Sequence, residues 1–87
     1  MSYSLDILKR KSDGKILFDL VNDACDVHNI FDGDTFVEST ESWNIEIRNT
    51  ENNNNPEYVF VDPDSPEAPK FTFDEWDELR KHYRKLL

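Results

Sequence analysis

Residues 13–28 read DGKILFDLVNDACDVH, and the structure of this stretch decides how many layers the fold has. At 100° per residue, the apolar side chains fall on one broad face of a helix and the polar ones on a narrow opposite stripe. The apolar face would consist of Ile16, Leu17, Leu20, Val21, Ala24, Val27 and His28. Ser12 or Asp13 can cap the first turn. The spacing therefore predicts a helix over 13–28.

A strand is the alternative structure for the same stretch. With Asp13-Gly14 in a hairpin turn, a strand accounts for the alternation of Ile16, Phe18 and Leu20. The alternation fails from Asn22 onward, so the helix is the preferred interpretation.

The C-terminal residues give the clearest helix signal in the chain. Thr72 and Glu75 have the spacing of a capping box, in which each side chain bonds the other residue's backbone N–H. One apolar stripe follows, formed by Phe73, Trp76, Leu79, Tyr83 and Leu86. Acidic residues occupy the first turns and basic residues the last, as the helix dipole favours. These features predict a helix over 73–86.

The remaining elements are predicted to be strands. In residues 2–9, Tyr3, Leu5 and Ile7 alternate as in a strand, which is favoured over a short helix capped by Ser4. Residues 43–48 alternate apolar and polar side chains, 58–61 are a short β-rich run, and 35–38 form a further short strand. The polar segment 49–56 (NTENNNNP) makes a hairpin of 43–48 and 58–61 the simplest pairing.

Together these elements predict one α+β domain over residues 1–87. It would be a small antiparallel meander of three to four strands covered by two amphipathic helices. A chain of 10.3 kDa buries about two-thirds of its unfolded surface, which suffices for one core and not for two.

The charge of the chain is concentrated in its middle. The 87 residues carry a formal net charge of −9, but residues 16–72 hold 13 acids and two bases and carry −11. Such a charge opposes direct binding to nucleic acid or to an anionic membrane and favours a basic partner. No apolar run approaches the roughly 18 residues of a membrane span. A single cysteine, Cys25, excludes an internal disulfide and is typical of a reducing compartment, so a cytoplasmic protein is expected.

Catalytic and metal-binding patterns are weak. Cys25 is flanked by Asp23 and Asp26, which disfavour a reactive thiolate, so a half-buried structural cysteine is expected. Asp32-Gly33-Asp34 begins like a calcium-binding loop but lacks the later ligands of that motif. We therefore expect neither an enzyme nor a cofactor.

The acidic residues are the candidate partner-binding site. These residues are Asp19, Asp23, Asp26, Asp32, Asp34, Glu38 and Glu41. On the predicted helix, Asp19, Asp23 and Asp26 would project from one face with axial spacings of about 6 and about 4.5 Å. Duplex DNA carries about twice that density of charge, so the other four acids would have to continue the row to imitate its backbone.

As a whole, the chain resembles the small acidic inhibitors made by phages and mobile elements, several of which imitate DNA, and also small bacterial immunity proteins. This is a similarity of type and rests on no motif. It implies a non-enzymatic inhibitor that binds the basic surface of a nucleic-acid-binding protein. The alternative is a structural or adaptor domain, homodimeric or of the immunity type, whose acidic residues serve only solubility.

Overall fold

The computed structural model describes residues 2–46 and 56–87. Over these residues the elements are β1 (Tyr3–Arg10), β2 (Ile16–Asn22), β3 (Val27–Asp32), β4 (Thr35–Glu41), β5 (Tyr58–Phe60) and α1 (Phe73–Leu86), with a 3-10 turn at Ser42–Asn44. Neighbouring strands are antiparallel, in the order β4-β3-β2-β1-β5. The α+β class is confirmed, but five strands and one helix replace the predicted three to four strands and two helices.

The predicted helix over 13–28 is wrong. This stretch contains β2, the turn that follows it and the start of β3. Phe18 and Leu20 pack on the face of β2 that meets α1, whereas Leu17 packs in a core on the other face. Because β2 is covered on both faces, it is an almost continuous apolar run. Such a run fits a broad helix face as well as it fits a strand.

Two turns of the same form connect β1 to β2 and β2 to β3. In each, the last turn residue donates its N–H to a carbonyl four residues earlier: Gly14 to Arg10 at 2.7 Å, and Asp26 to Asn22 at 2.8 Å. Gly14 has a φ of 74° and Asp26 a φ of 55°. Aspartate enters this left-handed region more readily than most residues, so the second turn forms without a glycine. The alternation ends at Asn22 because the chain turns there.

The sheet is rolled, so its first and last strands in spatial order approach each other. In a flat sheet β4 and β5 would lie about 19 Å apart, since four strand spacings separate them. The Tyr58 hydroxyl on β5 nevertheless donates to the Glu38 carboxylate on β4 at 2.5 Å. The inner face of the roll encloses a core of Leu8, Leu17, Ile30, Ile45 and Tyr58.

Residues 42–46 cross from β4 to β5 and help to close the roll. The predicted strand over 43–48 is instead the 3-10 turn followed by a single parallel bridge between Ile45 and Tyr58. Ile45 is buried, while Trp43 lies in solvent. The rest of this predicted strand and the tip of the predicted hairpin fall outside the described residues. The strands predicted over 2–9, 35–38 and 58–61 are confirmed as β1, β4 and β5.

Helix α1 lies on the outer face of the sheet, and its predicted bounds and cap are confirmed. The N–H of Glu75 donates to the Thr72 hydroxyl, and the Glu75 carboxylate accepts the Thr72 N–H at 2.8 Å. Trp76 packs against the cluster of Ile7, Val61 and Ala68, and Tyr83 packs against Leu20 and Phe31. No helix in the described part of the chain is long and apolar enough to cross a membrane.

Candidate functional site

The fold separates the seven candidate acids into three groups. Asp23, Asp26 and Glu41 lie at the end of the sheet where β1 begins, and Asp32 and Asp34 lie at the opposite end. The six residues of β3 connect these ends, which places them about 20 Å apart. Asp19 on β2 and Glu38 on β4 form the third group, between these ends, where they bond His28 and Tyr58. The acids therefore do not form one continuous row.

Asp19 lies in the interior, not on the surface. It has no exposed area, and its Oδ2 lies 2.6 Å from Nδ1 of His28 on β3. Its other oxygen, Oδ1, has no hydrogen-bond partner among the described residues. Burial raises the pKa of the Asp19 carboxyl, and the hydrogen bond to His28 offsets only part of that effect. Asp19 contributes to the interior of the sheet and presents no surface to a partner.

His28 is the partner that sequence reasoning missed, since it was placed at the edge of a helix face. The ring is 5% exposed, and its Nε2 lies 3.9 Å from Asp26. Burial works to lower the pKa of His28, but the hydrogen bond and charge of Asp19, with the charges of Asp26 and Asp6, outweigh burial and raise it. The charged ring of His28 is therefore favoured in the folded state.

These pKa shifts predict that stability falls as pH rises across neutrality. The pKa of His28 is raised above its ordinary value of 6.5, so the folded state holds its proton more tightly than the unfolded state. The resulting stabilisation is complete below about pH 6 and is lost as pH rises through the raised pKa. Asp19, whose pKa is also raised, contributes with the same sign.

Urea unfolding between pH 6 and pH 9 measures this effect. The carboxyls with lowered pKa, Asp13, Glu75 and Asp77, act only at more acidic pH, where their protonation removes stability. In the variant His28→Gln the decline above pH 6 should be largely absent. A wild-type stability that is flat or rises over this range would contradict the assignment.

Asp23, Asp26, Glu41 and Trp43 together form what we call the acidic end. Glu41 pairs across the sheet with Val27, the residue that follows Asp26. The Trp43 indole Nε1–H donates to Glu41 at 3.2 Å, and the side chain of Trp43 remains 64% exposed. The acidic end thus places the Glu41 carboxylate beside a large exposed aromatic ring, with Asp23 and Asp26 in the neighbouring turn.

Asp23 and Asp26 are held by the turn between β2 and β3. The hydroxyls of Ser2 and Ser4 donate to the Asp23 carboxylate at 3.1 and 2.9 Å. The Asn22 side chain accepts the N–H of Ala24 at 3.0 Å, which fixes the start of the turn. The described residues place no lysine or arginine within ion-pair distance of Asp23, Asp26 or Glu41.

At the opposite end of the sheet, the two aspartates are paired with basic side chains. Lys15 lies 2.8 Å from Asp32, and Nε2 of His82 lies 2.7 Å from Asp34. Gly33, with a φ of 57°, gives the two-residue turn between β3 and β4 the positive φ that such hairpins use. The resemblance of this segment to a calcium loop reflects a hairpin turn.

Most basic side chains of the described residues are also engaged locally. Lys9 pairs with Glu67, Arg10 with Asp13, and Arg80 and Lys81 pair with Asp77. Lys70 donates to the carbonyls of Pro63 and Ser65. The charge that remains unpaired at the surface of the described residues is therefore negative.

Cys25 is exposed in the turn between β2 and β3, so its predicted half-burial is wrong. Within 2–46 and 56–87, no three His, Cys, Asp or Glu side chains converge to hold a metal ion.

The position of Trp43 was also missed. Alternation with Ile45 and Ile47 assigned it to the buried face of a strand, and the 3-10 turn rotates it outward. No single residue in that segment signals the turn.

Comparison of the chain with protein-family models, with curated proteins and with solved structures finds no match.

Proposed function

We propose that this protein is a non-enzymatic inhibitor that binds a basic surface of another protein, of the kind found on nucleic-acid-binding proteins. The acidic end carries the proposal, because it combines an exposed tryptophan with three carboxylates that have no lysine or arginine partner in the described part of the chain. Several other surface acids have a lysine, arginine or histidine partner, among them Asp13, Asp32, Asp34 and Glu67.

The chemistry of the acidic end suits lysine and arginine side chains. Tryptophan is enriched among the residues that dominate binding energy, and its face attracts an arginine or lysine cation. Carboxylates around it would increase the rate of encounter with a basic surface and reject acidic ones. Trp43 would supply affinity, and Asp23, Asp26 and Glu41 would supply selection by charge.

Imitation of duplex DNA is the more specific form of this proposal. The structure removes one argument for it, the row of aspartates on a helix. The helix that was to carry Asp19, Asp23 and Asp26 in a row does not exist, and Asp19 is buried. The proposal now needs only a compact basic patch on the partner, which the acidic end could cover by itself.

A specific observation also supports the second candidate, an adaptor domain that associates through apolar contacts. Phe73 is 86% exposed at the start of α1, beside a groove lined by Leu5, Trp76, Asp77 and Arg80. Association through this groove would depend little on salt, whereas association through the acidic end would weaken as salt screens the charges. The variant Phe73→Ser would impair association through the groove and would leave association through the acidic end unchanged.

We expect the triple variant Asp23→Lys, Asp26→Lys and Glu41→Lys to weaken partner binding by about 100-fold or more, since like charges facing each other cost several kcal/mol. The partner is to be captured from the native host at low salt, identified and purified. Its affinity for wild type and variant is then measured by calorimetry at 50 and 500 mM salt.

The matched control reverses three exposed acids elsewhere, Glu57→Lys, Asp64→Lys and Glu78→Lys, with the same change in net charge. It should retain most of the affinity if the acidic end, and not the total charge, makes the contact. Equal weakening by both triple variants would leave only a general charge effect. Unchanged affinity of the first variant, in a protein shown to be folded, would reject the acidic end as the site.

A further inference from the structure

His28 lies between the interior of the sheet and the acidic end. Its Nδ1 lies 2.6 Å from the buried carboxylate of Asp19, and its Nε2 lies 3.9 Å from Oδ1 of Asp26. The histidine is 5% exposed, whereas the side chain of Asp26 is 72% exposed. One nitrogen of the ring therefore bonds in the interior, and the other lies near a carboxylate that a partner can reach.

The two ring nitrogens differ in how firmly they hold a proton. A carboxylate that accepts a hydrogen bond from one nitrogen of a histidine fixes a proton on that nitrogen. The Nδ1–H of His28 is therefore retained by the bond to Asp19. The proton on Nε2, on the side of Asp26, is the one that the ring loses to solvent when it becomes neutral.

Carboxylates act on the ring of His28 from three parts of the fold. Asp19 acts from β2, Asp26 from the turn after it and Asp6 from β1. Across the sheet, β4 places the uncharged Thr40 opposite His28. Burial works to lower the pKa of His28, but the bond to Asp19 and these charges raise it above 6.5. The ring thus exchanges its second proton in the range around and above neutral pH.

We propose that the proton on His28 and a basic group of the partner compete for the acidic end, so that binding releases this proton. The inference rests on the proposed function and adds regulation of that site by pH. A lysine or arginine at ion-pair distance from Oδ1 of Asp26, about 4 Å, would lie within about 8 Å of Nε2. Salt does not fully screen charges at this distance, because the Debye length at physiological ionic strength is also about 8 Å. The cation and the charged ring therefore each weaken the binding of the other.

The direction of the pH dependence follows from this competition. Below the pKa of His28 the partner must displace the proton, whereas above it the proton has already left, so the affinity rises with pH. A repulsion that lowers the pKa of His28 by about one unit in the complex corresponds to about a tenfold gain in affinity between pH 6 and pH 9. Partial unfolding would act in the opposite sense, since the stability of the protein is expected to fall over the same range.

Calorimetry with the captured partner measures the released proton directly. Titrations at pH 7.5 in phosphate and in Tris, whose ionisation enthalpies differ, should give about half a proton released per complex near the midpoint of the ring's titration. In His28→Gln, whose amide can still donate to Asp19, the release and the rise in affinity should both be largely lost. His82→Gln is the matched control and should keep both, because that ring is exposed beside Asp34 at the opposite end of the sheet.

A second measurement needs no partner. The titration of the His28 ring is followed by NMR in the wild type, in Asp26→Asn and in Asp64→Asn, each of which replaces one exposed aspartate. Asparagine enters the left-handed region as readily as aspartate, so Asp26→Asn keeps the turn with its φ of 55°. We expect the pKa of His28 to fall by about 0.5 or more in Asp26→Asn and by less than about 0.2 in Asp64→Asn.

The proposal is overturned if the pKa of His28 is the same in Asp26→Asn as in the wild type, since charge at the acidic end would then not reach the ring. It is also overturned if the wild-type affinity is flat between pH 6 and pH 9. An equal rise in His28→Gln would place the released proton on another group and would reject His28. In each case weakened binding by the triple lysine variant would leave the proposed function standing, whereas unchanged affinity of that triple variant would reject both.

Discussion

Replacing His28 with alanine is expected to lower the free energy of unfolding by about 3–5 kcal/mol, because it leaves a buried carboxylate without its partner. Asp19 is fully buried, and its Oδ2 is 2.6 Å from the ring it would lose. Its Oδ1 already lacks a hydrogen bond within the described residues. Urea unfolding near pH 6, where the paired state is most stable, measures the loss.

The double variant Asp19→Val and His28→Val removes both members of the charged pair and keeps apolar side chains at both buried positions. Replacing a buried charged pair with apolar residues of similar volume is often neutral, so this variant should be more stable than His28→Ala alone. His82→Ala is the matched control. His82 also lies close to a carboxylate, with its Nε2 2.7 Å from Asp34, but this histidine is exposed. Its replacement should therefore lower the free energy of unfolding by less than about 1 kcal/mol. Equal losses for the two histidines would contradict a buried pair at Asp19.

The sequence was sufficient where one local signal determined the structure. The helix over 73–86 was predicted with its bounds because its cap, its apolar stripe and its charge order agree. The strand at Tyr3–Arg10 was predicted from the alternation of Tyr3, Leu5 and Ile7. In each case the burial of one face left a clear period in the sequence.

Residues 13–28 were mispredicted because two surfaces bury the same strand. β2 lies between α1 and the inner core of the roll, so the polar residues that would mark a strand period are largely missing. The turn at its end carries a positive φ on Asp26 where a glycine would have signalled a hairpin. Asp19 then appeared as one of three surface aspartates, although it is fully buried and its carboxylate bonds His28.

The sequence shows which residues of the candidate site are acidic, but it does not show how these acids are arranged in the fold. An excess of acids over residues 16–72 is evident from counting, but the counts do not show which acids have an internal partner. Lys15, far from Asp32 in sequence, neutralises it only because β1, β2 and β3 form adjacent hairpins. The exposed Trp43 likewise depends on a 3-10 turn that replaces a strand.

The second large effect is expected from Tyr83→Ala, which should lower the free energy of unfolding by about 3–5 kcal/mol. Tyr83 is 2% exposed, and its ring centroid lies 4.6 Å from that of Phe31 and 5.6 Å from that of Phe18. Burial raises the pKa of its hydroxyl to about 12. The ring is therefore the contact that joins the end of α1 to β2 and β3, and its removal leaves a cavity between two layers.

Two variants on the same position and the same helix make this test specific. Tyr83→Phe keeps the ring and should cost much less, because the packing and not the hydroxyl carries the contact. Leu86→Ala removes a side chain that is 45% exposed on the last turn of α1 and should cost less than about 1 kcal/mol. Thermal unfolding separates these outcomes, since each kcal/mol shifts the midpoint by about 4–8 °C in a domain of this size. If Tyr83→Ala cost no more than Leu86→Ala, α1 would contribute little to the core, and the sheet would have to be stable without its outer layer.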